Sequence, residues 1–155
     1  MKHPSPAEAL LVASRALVGV AARSVADIGD VTLPQFRALV LVSSRPRTTV
    51  SDLAAAIGIH PTSATRLCDR LVQKGLLRRT EAVDDRRQTE LHLTEAGQRI
   101  VDKVTARRRR DFDAIVARMG PAAAQAATEA LLAFAEAADE ALTHADVFGW
   151  DASSR

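Results

Sequence analysis

Apolar residues recur at spacings of three and four along most of this chain and give way to strict alternation in one short stretch. After Pro6 the helical rhythm is carried by Leu10, Ala13, Leu17, Ala21 and Val25, which predicts a first helix. Thr32 and Gln35 make a capping-box pattern with Pro34 in the first turn. A second helix therefore starts there, with Phe36, Leu39, Val40 and Val42 as its apolar content and Arg45-Pro46 as its end. A third helix is expected from Thr49, with Asp52 in its first turn, Leu53 and Ile57 facing the core, and Gly58 closing it. Pro61 opens a fourth. The rhythm then changes to period two: Leu91 and Leu93 alternate against Glu90 and His92, so two strands of about five residues flank a loop from Glu81 to Thr89. Thr94 can cap a long fifth helix carrying Ile100, Val104, Phe112, Ile115, Val116 and Met119. Gly120-Pro121 breaks it, and a sixth helix runs from Ala122 to about His144.

The order helix, helix, basic hairpin between residues 49 and 97 is that of a winged helix-turn-helix. The fold class expected is mainly α with a small β-hairpin wing. Residues 30–98 form the reader, residues 1–29 and 99–146 a flanking helical region, and residues 147–155 a tail. So small a reader cannot cover the apolar sides of the long terminal helices. Pairing of those helices between two copies is the simplest resolution, and two readers on one two-fold axis would meet a pseudo-palindromic site.

Composition sharpens this in one respect. Apolar residues make up 47% of the 155 and charged ones 26%, so a folded core is expected. The net charge of +2 is small, but its distribution is uneven. Residues 30–93 hold 10 Lys/Arg against 7 Asp/Glu, whereas residues 119–155 hold 1 against 6. The basic half contains the reader, as expected where one face meets phosphate. Cys68 is the only cysteine, which points to a reducing compartment. No charged start leads into an apolar segment with a small-residue cleavage site, and the apolar run from Ala38 to Val42 is far short of a span. A soluble, cytoplasmic protein with no membrane partner is expected.

The chemistry concentrates on the fourth helix. At 100° per residue, Ala64, Leu67, Cys68, Leu71 and Val72 share one side, and Thr62, Thr65, Arg66, Asp69, Arg70 and Gln73 the other. Arg66 and Arg70 can offer paired donors to guanine, and Gln73 can pair with adenine. Thr62 and Thr65 can meet a thymine methyl or a phosphate, and the amides from Pro61 to Ser63 add phosphate affinity. An ordinary solvated face has the same residues, so the neighbouring hairpin is what separates the two readings. Asp69 is out of place opposite phosphate; it is expected to orient an arginine, with Arg66, Arg70 or a wing arginine as partner. At the hairpin tip, Asp84-Asp85-Arg86-Arg87 joins two acids to two bases. A narrow minor groove attracts an inserted arginine, and a neighbouring aspartate can preset it, with Asp85 as brace and Arg87 as insert. A solvated charged turn is the bland reading.

The string DRRQTELHLTEAG resembles the D-x-R wing followed by Leu-Thr-x-x-Gly of the multiple-antibiotic-resistance regulator (MarR) family. TSATRLCDRLVQKGLLRR resembles the family's recognition helix running into the first wing strand, and LPQFRALVLV its second helix. The similarity covers about residues 30 to 100. It implies that Asp85 and Arg87 take the wing positions, and that Thr62, Ser63, Thr65, Arg66 and Arg70 face the groove. His60 departs from the small hydroxyl residue usual at that helix start. The resemblance further implies a homodimer on double-stranded DNA, usually a repressor, released by a small aromatic or phenolic effector or by cysteine oxidation.

Other chemistry is thin. Cys68 falls on the buried side of its helix, so the expected role is that of a small hydrophobe rather than a redox sensor. His3, His60, His92 and His144 show no ligand spacing, and no metal or cofactor is expected. Arg107 to Arg110 circle a helix; some are expected to pair with acids of the sixth helix such as Glu136, Asp139 and Glu140. No Ser/His/Asp set, paired-carboxylate cleft, P-loop or Rossmann fingerprint stands out, so an enzyme is not expected. The rivals to a regulator are a winged-helix protein-interaction module and an architectural DNA-binding module without an effector.

Overall fold

A computed structural model describes residues 4–26, 28, 30–45, 47–81 and 89–138. Its elements are α1 (Pro6–Ala26), α2 (Leu33–Ser44), β1 (Thr48–Thr49), α3 (Val50–Ile57), α4 (Pro61–Gln73), β2 (Leu77–Glu81), β3 (Thr89–Leu93), α5 (Glu95–Val116) and α6 (Pro121–Ala137). This is a mainly helical winged helix-turn-helix, as the hydrophobic rhythm predicts. Local chemistry fixes the helix starts. At α2 the Gln35 amide donates to the Thr32 hydroxyl and Gln35 Oε1 accepts from the Thr32 amide, closing a capping box. The same reciprocity joins Thr49 and Asp52 at α3, and Gly58 closes that helix in the left-handed region (φ 73°). Ser5 and Glu8 cap α1 in the same way.

The core lies where α2, α3 and α4 meet the sheet. Leu39, Leu53, Leu71, Leu77 and Leu91 are fully buried there, with Cys68 beneath α4 and Val104 contributed by α5. Truncating one of these leucines to alanine should cost about 2–5 kcal/mol through lost transfer energy and the cavity left behind. The sheet has the order β1-β3-β2, all antiparallel. β2 and β3 are the expected hairpin strands, in the register Leu77↔Leu93 to Glu81↔Thr89. β1 is an addition: Thr48 and Thr49 pair with Leu91 and Glu90 at the sheet edge. Two residues carry no readable alternation, so only their distant partner reveals them.

The chain divides into two compact units, residues 1–111 and 112–155, with the boundary inside α5. Within the first unit α1 leaves most of its apolar side uncovered, as expected of a terminal helix too long for the small reader to cover. Of Leu10, Ala13, Leu17, Ala21 and Val25 only Val25 is buried, and burial centres on Val20, Ser24 and Val25 at the C-terminal turns. Leu11, Val12 and Val18 stand 65%, 65% and 59% exposed. By length and composition α1 is apolar enough to cross a membrane, which inspection of Ala38 to Val42 alone does not reveal. Its last turns nevertheless belong to the core beside α2. In the second unit α6 runs from Pro121 to Ala137 with Ala138 as its C-cap, so it ends before the expected His144; positions 139 to 144 lie outside the described residues. Leu131, Leu132 and Phe134 are about half exposed on it.

The arginine run is also partly accounted for. Arg107 Nε lies 3.4 Å from Asp111 Oδ1, one turn along the same helix. Arg108 Nη2 lies 3.5 Å from Ser24 Oγ, and its guanidinium sits 5.2 Å from the centre of the Phe36 ring. Arg108 thereby joins α5 to α1 and α2. Of the sixth-helix acids expected as partners for the run, Asp139 and Glu140 lie outside the described residues.

Candidate nucleic-acid interface

α4 is built to present one polar face on a buried support. Pro61 occupies its first turn, where a missing N–H costs nothing. His60 takes the N-cap position in place of a hydroxyl residue, and its Nδ1 accepts from the Thr62 amide at 3.3 Å. Ala64, Cys68 and Leu71 are buried, and Leu67 and Val72 are half-buried, so the helical wheel drawn from sequence assigns the inner side correctly. Thr62, Ser63, Thr65, Arg66, Arg70 and Gln73 are all exposed on the helix. The Thr65 hydroxyl donates back to Pro61 O at 3.0 Å, which leaves its methyl and its lone pairs for an external contact. Among the described residues neither Arg66 nor Arg70 holds an ion pair. Both guanidiniums are therefore uncommitted on the outward face.

Among the described residues Asp69 has one arginine partner, and it comes from the wing. Arg79 Nη1, on β2, lies 2.8 Å from Asp69 Oδ1. Both side chains are partly exposed, so the pair is worth at most about 1 kcal/mol. Its geometric effect is to tie the middle of α4 to the first wing strand. Of the three kinds of partner left open by the sequence, strand parity could have selected this one. Arg79 lies two residues from buried Leu77 and so shares the sheet face that α4 covers. Beneath the pair, burial pushes the Cys68 thiol up, with Arg79 opposing and Asp69 adding to the shift. Such a thiol stays protonated at neutral pH and is a poor nucleophile.

On the opposite sheet face Arg78 stands across from His92, and His92 Nε2 lies 3.5 Å from Glu90 Oε2. A groove of about 540 Å³ opens nearby, lined by the end of α2 with Arg45, Arg47, Arg78 and His92 over Leu91 and Leu93. No residue of α4 lines it. The wing-tip residues Asp85, Arg86 and Arg87 lie outside the described residues, so the brace and insert expected there have no geometry here. Lys74, passed over in the sequence, is the C-cap of α4, and its ammonium is engaged by Asp30 and Gln35. No local signal marks it, because its partners lie about forty residues earlier.

Comparison with known proteins now gives this arrangement a context. The model of the MarR family matches residues 31–89, from the start of α2 to the start of β3. The transcriptional repressor MprA of Escherichia coli is 37% identical over 71 residues, covering 44% of this chain and 40% of that protein. The chain spans about half the length of the curated relatives it matches. Among solved structures, RV1404 from Mycobacterium tuberculosis superposes with a TM-score of 0.82 at 38% identity, covering 88% of this chain and 93% of that one. A mutant of Staphylococcus aureus MepR bound to an oligodeoxyribonucleotide gives a TM-score of 0.63 at 17% identity, covering 88% and 99%, a likeness of fold alone.

Proposed function

The chain belongs to the MarR family, and from that premise we propose that it is a sequence-specific DNA-binding transcriptional regulator, a repressor acting as a homodimer on a pseudo-palindromic operator. The observation that carries this reading is the outward face of α4. Arg66 and Arg70 lie one turn apart, exposed and without ion-pair partners among the described residues, on a helix whose other side is buried in the core. In this reading Arg66 and Arg70 read guanines in the major groove and Gln73 reads adenine. Thr62, Ser63 and Thr65 take phosphate and methyl contacts. Arg87 enters the flanking minor groove, preset by Asp85, and Arg86 contacts the DNA beside it. The DNA-bound MepR neighbour and the repressor MprA support the direction of the proposal.

Residues 1–29 and 99–146 pair the two protomers, residues 30–98 read DNA, and residues 147–155 form a tail. The apolar side chains left exposed on α1 and α6 support the pairing role. A small aromatic or phenolic effector releases the protein from DNA, as the family likeness implies, and the site of action is the cytoplasm, where the chromosome is. Footprinting on the DNA beside its own gene tests the proposal. A protected, roughly two-fold site whose affinity falls steeply with salt is expected. Binding that is equal on every duplex would remove the regulator reading and leave an architectural module.

A further inference from the structure

The last turn of α4 is held from two sides by groups that a base-reading helix does not obviously need. The helix ends with the Leu76 amide donating to Leu71 O at 2.9 Å and the Gly75 amide to Val72 O at 2.9 Å. Gly75 sits in the left-handed region (φ 66°), which a side chain would strain. From one side α5 closes on this turn. The Thr94 hydroxyl donates to Gly75 O at 2.6 Å, the Thr94 amide donates to Leu76 O at 3.1 Å, and the same hydroxyl accepts from the Gly97 amide at 3.0 Å. Contact is so close that a Cβ on Gly97 would lie 2.1 Å from Leu76 O.

From the other side comes Lys74. Its ammonium donates to the Asp30 carbonyl and to Gln35 Oε1 at 3.2 Å, and lies 3.2 Å from Asp30 Oδ2. Gln35 is buried and its Oε1 also accepts from the Thr32 amide, so Lys74 grips the capping box that starts α2. An ammonium has three donors, and here three acceptors face it. Charge counting would place Lys74 among the phosphate contacts, next to exposed Gln73. Its donors are already engaged within the fold.

We propose that Lys74 and Thr94 are positioning residues for base reading: they clamp the Lys74–Leu76 turn between the starts of α2 and α5 and so fix the pitch of the α4 face in the groove. The proposal rests on the DNA-reading role given above. Neither residue touches DNA. Released at this end, α4 would keep its buried support but lose the fixed angle that bidentate contacts from Arg66 and Arg70 require. The clamp also means that displacement of α5 or of the joint before α2 is passed to α4 rather than absorbed in a loose turn.

The test uses the full-length chain with Lys74→Met, Lys74→Arg, Thr94→Val and Thr94→Ser. Affinity is measured against salt on a duplex from beside its own gene and on a scrambled duplex. Amide exchange at Gly75 and Leu76 is measured without DNA. Lys74→Met and Thr94→Val should lower the ratio of the two affinities by about 2- to 30-fold, the range for residues that tune a site they do not touch. The salt slope on scrambled DNA should stay as in the parent chain, exchange at Gly75 and Leu76 should accelerate, and Lys74→Arg and Thr94→Ser should retain the ratio. Equal weakening on both duplexes with a salt slope smaller by about one would make Lys74 a phosphate contact and overturn the proposal. An unchanged ratio with unchanged exchange would also overturn it. If the parent chain does not discriminate between the duplexes, the DNA-reading role fails. The exchange rates then decide the clamp alone: acceleration supports it, and no change removes it.

Discussion

Arg66 and Arg70 occupy successive turns of one exposed face, and the cost of losing either depends on what it meets. A guanidinium paired with a guanine edge makes two hydrogen bonds that no other base pair satisfies equally. Arg66→Ala or Arg70→Ala should therefore cost about 1–3 kcal/mol on the cognate duplex and relax preference at one base pair. Equal losses on cognate and random DNA in a gel-shift titration would reassign that arginine to phosphate. A second residue-scale expectation concerns Asp52. The Thr49 hydroxyl and amide both donate to its carboxylate, the hydroxyl bond being the larger cause, and hold it below the usual carboxylate range. Its contribution is therefore complete above about pH 4, the unfolded value, and is lost as pH falls through the folded one. Asp52→Asn should lower Tm at pH 7, and the gap to the parent chain should close as pH falls through the lowered folded value. A gap independent of pH would mean that the charge has no part in the cap. These caps were legible in the sequence because a capping box is complete within four residues. The partner of Asp69 was only bounded, because Arg79 lies ten positions away on another element.

At the scale of elements, every helix start and the two wing strands follow from local patterns, whereas the contacts that lock elements together do not. β1 exists only because Thr48 and Thr49 meet Leu91 and Glu90 across the fold. Burial of Ser24 under Arg108 and the grip of Lys74 on Gln35 are likewise products of distant packing. The apolar rhythm of α1 forms a helix, but only its last turns meet the core of the single chain, and the rest of that side stays exposed. Gly97 shows what such a lock demands. In the sequence it is one position of the family-like Leu-Thr-x-x-Gly string; in the fold it lets the first turn of α5 lie against the backbone at Leu76. The atom facing it is a carbonyl oxygen, which cannot swing aside as a flexible side chain would. Gly97→Ala should therefore destabilise by about 1–3 kcal/mol, although alanine is the better helix former. Urea denaturation would reveal it, and a stabilised variant would show that α5 can shift freely from the turn.

For the whole molecule the question is whether two readers share one operator, as proposed, and the placement of the core decides how this can be tested. Cutting the chain to residues 30–98 is the obvious way to separate reading from pairing. It would, however, remove Val25, Val101 and Val104, which are buried in the same cluster as Leu39 and Leu71. The fragment would lose stability along with any partner, so weak DNA binding by it would carry no information about pairing. Charges placed on the exposed apolar positions separate the two effects. Val12 and Val18 on α1, and Leu131 and Phe134 on α6, are 46% exposed or more and absent from that cluster. Val12→Glu or Phe134→Glu should leave stability within about 0.5 kcal/mol of the parent if the side chain faces solvent in the single chain. In a paired molecule the same charge enters an apolar interface, and sedimentation should shift from dimer to monomer at micromolar concentration. Operator affinity should then fall by about 10²–10⁴-fold, because each reader binds its half-site alone, while the few contacts per half-site stay intact. A parent chain that sediments as a stable monomer, or a charged variant that keeps full operator affinity, would remove the two-fold reading and leave each chain to find DNA by itself.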